Sequence, residues 1–179
     1  RGLTDAIDNP SRIHGLFIER AMIKANNKLS ILWAEAPMNN PLMNDGSAFY
    51  QLQEEFRAAF ENSIIDLPRS MAINYPHLVR GVNVAVIVTE LTLAAARDTI
   101  RILSWLRSNA PDCKILVVAN KVVNGATEIN RKDFETTIER KVDLIIPADA
   151  KATSQASKTG RPVVEAVRGS KVSSGLAAL

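Results

Sequence analysis

The stretches Val84-Ala-Val-Ile-Val88 and Ile115-Leu-Val-Val-Ala119 decide the fold, because both are continuous apolar runs rich in β-branched residues. Such runs are typical of strands that are covered on both faces, as in a parallel sheet. Apolar residues at helical spacing fill the interval between them over residues 92–109, and Pro111 follows that pattern. A strand, a helix and a second strand in this order form a βαβ unit, whose crossover is expected to be right-handed.

The same alternation extends outward in both directions. Further strands are predicted at Leu29–Trp33, Ser63–Ile65 and Val142–Ile146. Further helices are predicted over residues 11–24, 47–60, 131–140 and 151–159, and a long loop over Pro37–Gly46. The sequence therefore predicts an α/β fold with a mostly parallel sheet flanked by helices. It predicts one domain over residues 1–170 and a loosely held tail at 171–179.

Composition narrows the class of protein. The chain of 179 residues has a single cysteine, Cys113, so no disulfide can form within it, which favours a reducing, cytoplasmic compartment. No apolar run approaches the roughly 18 residues that span a bilayer. The net charge of +3 is too small to indicate a nucleic-acid partner. His14 and His77 are the only histidines and no Cys/His cluster exists, which argues against a zinc site.

Polar residues follow the predicted strands at the ends where parallel sheets bind their ligands. Asp66–Arg69 follow one strand, Thr89–Glu90 the next, Asn120–Lys121 a third and Pro147–Asp149 the last. Because the carboxyl ends of parallel strands share one edge of the sheet, the sequence predicts a single polar rim.

Asp66 is the candidate metal ligand and catalytic residue of this rim. A carboxylate at the end of an apolar strand can hold Mg²⁺ directly or through water, and the metal then bridges phosphate oxygens. A turn or capping aspartate before Pro68 fits the strand pattern equally well. Arg69 is a candidate bidentate donor to a phosphate, with a solvated surface arginine as the alternative.

Asn120 and Pro147 are candidates for binding a nucleotide base. The asparagine side chain offers an acceptor and two donors, which match the edge of a purine, although a turn asparagine after a strand is the simpler interpretation. Pro147 could pack flat on a base, or it could only end its strand. None of the 8 glycines belongs to a Gly-rich phosphate loop, so the sequence shows no cradle for a triphosphate.

Six motifs stand in order along nearly the whole chain: Ile64-Ile-Asp-Leu-Pro-Arg69, Val84-Ala-Val-Ile-Val-Thr-Glu90, Arg97-Asp98, Val117-Val-Ala-Asn-Lys121, Asp133-Phe-Glu135 and Ile146-Pro-Ala-Asp149. Their order and spacing resemble the MinD/ParA group of P-loop ATPases. Within that group the chain most resembles the CpaE/TadZ pilus-assembly proteins, and Asp-Leu-Pro-Arg is the most telling motif.

The resemblance implies a role for each rim residue. Asp66 would be the Walker B carboxylate, acting on Mg²⁺ and on the attacking water. Asn120, followed by Lys121, would read the adenine of ATP, and Pro147 with its neighbour Asp149 would line the base.

The chain departs from the family pattern in two ways. The family's lysine-containing phosphate loop, with its strand, precedes the point where this sequence begins, so the chain alone is expected to be inactive. Ser70 stands where MinD has a glycine whose backbone approaches the terminal phosphate, which puts phosphate sensing in doubt.

The resemblance favours an ATP-dependent switch that acts as a homodimer, is recruited to a bacterial cell pole and places pilus assembly and secretion ATPase components there. The alternative is a non-enzymatic polar scaffold with the same fold. DNA partitioning is disfavoured because the basic residues of the C-terminal segment form no dense face: Lys151, Lys158, Arg161, Arg168 and Lys171. Direct membrane insertion is not expected, since Ser173–Leu179 is short and uncharged.

Overall fold

The structure is a computed structural model, and it describes residues 20–33, 47–125 and 127–179. The chain divides into two compact units, unit 1 over residues 1–80 and unit 2 over residues 81–179. Most of the predicted helix at 11–24 and all of the predicted loop at 37–46 lie outside the described residues.

Unit 1 contains an antiparallel hairpin of strand β1, Ile23–Asn26, and strand β2, Leu29–Ile31. The turn is supported by Asn26, whose Oδ1 accepts a hydrogen bond of 2.8 Å from the Lys28 amide, as asparagines commonly do in turns. The strand predicted from Leu29 is confirmed for three residues. The helix predicted up to residue 24 is wrong at its end, because Ile23 already belongs to β1.

Helix α1 of unit 1 spans Ser47–Ala59, as its apolar spacing predicts. Ala48 and Leu52 are buried in a small core, against which Phe56 and Phe60 pack. The two phenylalanine rings meet edge to face with their centroids 5.9 Å apart. These four residues are spaced four positions apart, about one helical turn, so their side chains lie on the same apolar side of the helix.

The predicted strand at Ser63–Ile65 is wrong. Residues 61–68 contain no strand, and the Ile64 side chain is 96% exposed. A strand needs a neighbour that accepts its backbone hydrogen bonds, and none of the described segments pairs with this one. Asp66 therefore lies in an irregular, exposed segment just before helix α2, Arg69–Asn74.

Unit 2 is built on a parallel sheet in the order β3-β4-β5. The strands are β3, Val84–Thr89; β4, Lys114–Val122; and β5, Leu144–Pro147. Helix α3, Leu93–Asn109, joins β3 to β4, and helix α4, Arg131–Thr137, joins β4 to β5. Both are capped by side chains, those of Thr92 and Asn130. This arrangement confirms the predicted α/β fold with a parallel sheet flanked by helices.

The central strand β4 shows why its apolar run is continuous. Val117 is fully buried in the core cluster that contains Phe134 of α4. Its neighbour Val118 is buried in a second cluster with Ile146 and Val172. Because successive side chains of a strand point to opposite faces, these two valines fill cores on the two sides of the sheet.

The C-terminal segment is helical where the sequence predicts a loose tail. Helix α5 spans Ala150–Thr159 and ends at Gly160, whose φ of 60° suits a glycine cap. Helices α6, Val163–Ala166, and α7, Lys171–Ala177, follow it. Val172 is only 5% exposed, and a Cβ on Gly175 would lie 3.2 Å from the Ile145 carbonyl oxygen, so α7 packs closely on β5.

None of the helices in the described part of the chain combines the length and the apolar character needed to cross a bilayer.

Candidate functional site

The carboxyl ends of the three strands of unit 2 bring together five polar or ring-bearing residues. We call them the carboxyl rim: Glu90, Asn120, Lys121, Pro147 and Asp149. Thr89 of β3 pairs with Ala119 of β4, so Glu90 and Asn120 follow neighbouring positions of the sheet. The sequence-based expectation that these strand ends share one edge is confirmed for unit 2.

An ion pair joins two strand ends of the rim. The Nζ of Lys121 lies 3.1 Å from Oε1 of Glu90, and the two side chains are 71% and 52% exposed. Exposed pairs of this kind contribute about 0–1 kcal/mol to stability. The pair therefore matters less for stability than for the position in which it holds the Lys121 ammonium.

The end of β4 is distorted by a β-bulge. Ala119 pairs with Ile145 and Val122 pairs with Pro147, so β4 carries one residue more than β5 over this interval. Lys121 has a φ of 54°, in the left-handed region that lysine seldom adopts. Such a conformation costs on the order of 1 kcal/mol or more, and active sites are one place where such residues cluster. The bulge is therefore an observation in favour of a site at this point of the rim.

The half-buried side chain of Asn120 is partly engaged by its own backbone. Its Oδ1 accepts a hydrogen bond of 2.9 Å from the Lys121 amide. Its Nδ2 donates to no other residue of the described chain. A carboxamide oxygen has two lone pairs, so Asn120 retains one acceptor position and both donor positions for a ligand.

Pro147 and Asp149 have structural roles in the rim. The amide of Ala148, between them, donates to the Val122 carbonyl at 3.0 Å and so extends the pairing of β4 with β5. Oδ1 of Asp149 accepts from the Ala152 amide at 2.9 Å and caps α5. Pro147 is half-buried, and its Cδ would lie 3.4 Å from a Cβ placed on Gly175 of α7. The predicted contacts of both residues with a base stay predictions.

Asp66 and Arg69 belong to unit 1, and the carboxyl rim belongs to unit 2. Asp66 is exposed and makes no hydrogen bond or ion pair with the described residues, and Arg69 is the exposed first residue of α2. The predicted meeting of Asp66 and Asn120 at one ligand stays a prediction. The described ranges contain no group of three or more His, Cys, Asp or Glu residues placed to hold a metal ion.

The buried carboxylate of Glu135 lies in α4, and its ion pairs were not predicted from the sequence. The Oε1 of Glu135 accepts from Arg131 Nε at 2.8 Å and from the Val142 amide at 3.0 Å, and its Oε2 accepts from Lys141 Nζ at 2.8 Å. The Lys141 ammonium, followed by Arg131 and the Val142 amide, lowers the pKa of Glu135 to about 2. The four-residue spacing of Arg131 and Glu135 on a helix was the available signal. This cluster ties α4 to the start of the segment that leads into β5.

The Glu135 cluster makes the stability of unit 2 pH-dependent. The folded-state pKa lies below the ordinary value of 4.5, so the stabilisation is fully present above about pH 4.5 and is lost as the pH falls through about 2. We expect Glu135→Gln to lower the urea midpoint of unfolding at neutral pH, and its difference from the parent to narrow as the pH falls from about 4.5 to about 2. The exposed Glu139→Gln is the matched control. A difference for Glu135→Gln that does not change with pH would contradict the assignment.

Two further contacts that no sequence pattern indicates hold the strands of unit 2. Asp143 makes two hydrogen bonds to Val117 of β4. Its amide donates to the Val117 carbonyl at 2.8 Å, and its Oδ2 accepts from the Val117 amide at 2.7 Å. The buried hydroxyl groups of Thr89 and Thr99 lie 3.1 Å apart and join the end of β3 to α3. These two hydroxyl groups hold Thr89, the last residue of β3, which directly precedes Glu90.

The comparisons with known sequences give one distant relative and no family model. No protein-family model matches the chain. The septum site-determining protein MinD of Bacillus subtilis (strain 168) is 23% identical over 164 residues, which are 90% of this chain. The chain spans 60% of the length of that relative.

The comparisons with solved structures define the fold. The ParA family ATPase from Chlorobium tepidum TLS superposes with a TM-score of 0.87 at 17% identity, over 99% of this chain and 73% of that one. The MinD protein of Pyrococcus horikoshii OT3, solved in complex with Mg-ADP, superposes with a TM-score of 0.77 at 16% identity, over 98% and 70%. The chain therefore has the fold of the ParA and MinD P-loop ATPases. The finer resemblance to CpaE/TadZ proteins stays a prediction.

Proposed function

We propose that this chain forms the base-binding part of an ATP-dependent switch of the MinD/ParA type. The complete protein would act in tight-adherence (Flp, type IVb) pilus assembly as a localisation factor of the CpaE/TadZ kind. One observation carries the proposal: the Asn120 carboxamide stands at a strained bulge of the carboxyl rim with its Nδ2 not engaged by the described residues.

The chemistry of the rim fits a purine base. In open parallel sheets, ligands bind beyond the carboxyl ends of the strands, where Asn120 lies. Its Nδ2 can donate to a ring nitrogen and its Oδ1 can accept from the exocyclic amino group of adenine. Pro147 lies nearby in the sheet, because its strand β5 pairs with β4 at Val122, and it would supply an apolar ring to the base. The likeness in fold to a MinD protein solved with Mg-ADP supports a nucleotide as the ligand.

The residues of this chain fit the base better than the triphosphate. Its 8 glycines form no phosphate loop. The exposed carboxylate of Asp66 suits a ligand that binds the water shell of Mg²⁺, and the ion would supply charge neutralisation at the phosphates. Asp66 would also orient the attacking water, and Arg69 would donate to a phosphate oxygen.

In the complete protein, ATP would close a homodimer and hydrolysis would open it. The closed dimer would recruit pilus assembly and secretion ATPase components to a cell pole in the cytoplasm. These steps rest on the resemblance of the sequence to CpaE/TadZ proteins.

A non-enzymatic scaffold is the second candidate, and exposed apolar residues favour it. On one face of β3, the exposed fractions are 48% for Val84, 42% for Val86 and 63% for Val88. A contiguous exposed apolar patch of this kind can mark a contact with another protein. The scaffold would keep the same fold and recruit the same components, with weak or absent nucleotide binding.

Asn120→Ala separates the two candidates. It removes the carboxamide, and we expect the dissociation constant for ATP to rise about tenfold in the complete protein, as for the loss of one or two hydrogen bonds to a ligand. The measurement is calorimetric titration with ATP and Mg²⁺. The exposed Asn124→Ala, in the loop after β4, is the matched control and should bind like the parent. Equal affinities of all three proteins would remove Asn120 from the site, and no binding by the parent would favour the scaffold.

A further inference from the structure

The ion pair between Glu90 and Lys121 places opposite charges beside the residue that would read the base. Glu90 follows the last residue of β3, and Asn120 follows Ala119, the partner of that residue in β4. The bulge at Lys121 turns the lysine side chain toward β3, where its Nζ lies 3.1 Å from Glu90 Oε1. Among the described residues, Glu90 is the only ion-pair partner of Lys121.

This pairing changes which base edge the rim can accept. Adenine presents an amino donor at position 6, whereas guanine presents a carbonyl acceptor there. A lysine ammonium can only donate, so an ammonium without a partner beside Asn120 would favour the guanine carbonyl and repel the adenine amino group. An ammonium held by a carboxylate is less available to the guanine carbonyl, so the rim then favours adenine.

We propose that Glu90 is a specificity-determining residue, which selects adenine over guanine by holding the Lys121 ammonium in an ion pair. Glu90 acts through Lys121 and is a positioning residue, since the direct contact with the base belongs to Asn120. This inference rests on the proposed function, because it assumes that a purine nucleotide binds at the carboxyl rim.

The bulge explains why this role needs a specific carboxylate. The left-handed backbone at Lys121 fixes the start of a long, flexible side chain whose ammonium is otherwise solvated. Glu90 holds the ammonium at the far end of the Lys121 side chain. The pair is too exposed to contribute much to folding, so its removal should change selectivity with little change in stability.

The test compares ATP and GTP binding to the complete protein by calorimetric titration with Mg²⁺. Glu90→Gln should lower the preference for ATP over GTP about tenfold, the value of one charge-assisted hydrogen bond at an exposed site. The double variant Glu90→Gln/Lys121→Met lacks the ammonium and should recover most of the parent preference. The exposed Glu128→Gln, whose Oε1 accepts from the Leu93 amide at 3.4 Å, is the matched control.

The possible outcomes distinguish failure of this inference from failure of the proposed function. A shifted preference in Glu90→Gln that the double variant reverses supports the inference. An unchanged ratio of ATP to GTP affinity in Glu90→Gln, with binding intact, overturns the inference and leaves the proposed function standing. Failure of the parent protein to bind either nucleotide overturns both.

Discussion

Asp66→Asn is expected to lower ATP turnover by the complete protein about 100- to 1000-fold, the range found when one charge-stabilising group is removed from an active site. The amide keeps the size of the side chain but cannot bind the Mg²⁺ water shell as a carboxylate does. Asp66 is exposed and has no partner among the described residues, so the variant should keep the parent's urea midpoint. Turnover is measured by phosphate release with saturating ATP and Mg²⁺.

Asp112→Asn is the matched control for this prediction. Asp112 is exposed in the turn that precedes β4, and its variant should hydrolyse ATP at the parent's rate. Unchanged turnover in Asp66→Asn would remove Asp66 from the mechanism. The chain of 179 residues alone, which contains no Gly-rich phosphate loop, should show no measurable hydrolysis. Metal-dependent turnover by this chain that Asp66→Ala abolishes would contradict that expectation.

The sequence predicts those parts of the fold that depend on local pattern. Val117 and Val118 form part of a run without polar interruption, and the structure shows that such a run is needed because the two side chains enter different cores. Helix α3 is equally predictable, since its apolar spacing and the following Pro111 agree. Agreement between propensity, pattern and capping is what makes an element predictable.

The failures have a common physical cause, which is dependence on a distant partner. Ser63–Ile65 is apolar enough for a strand, but a strand also needs a neighbouring strand to pair with. A segment of three residues is too short to show an alternating pattern that would indicate such pairing. The segment 171–179 looks like a loose tail because its residues are small. Gly175 lets α7 approach β5 closely, and this closeness depends on residues about 30 positions away.

The strand-end positions of the candidate residues were predictable from the sequence, but their local geometry was not. Strand ends identify Asn120 and Lys121 from the sequence, because parallel strands present their carboxyl ends together. The bulge is not visible in the sequence, since lysine rather than glycine occupies the left-handed position. Its ion pair joins positions that are 31 residues apart, and only the register of β3 and β4 brings them together.

Phe134→Ala is expected to destabilise unit 2 by about 3–5 kcal/mol, the usual cost of deleting a buried phenylalanine side chain. Phe134 is fully buried in the core cluster on the α4 side of the sheet, with Val117 and Ala119 of β4. A loss of this size is a large part of a typical domain stability of about 5–15 kcal/mol. Urea unfolding measures the loss, and Ile100→Ala, at a residue that is 42% exposed, should cost less than about 1 kcal/mol.

Phe134→Leu distinguishes a cavity from a general loss of structure. Leucine fills part of the space, so its cost should fall between that of the parent and that of alanine, as expected when destabilisation grows with cavity volume. The same core supports the candidate site, because Ala119 directly precedes Asn120 on β4. Hydrogen exchange should therefore show faster opening of β4 in Phe134→Ala than in Ile100→Ala. Equal exchange rates in the two variants would mean that this core does not hold the strand that carries Asn120.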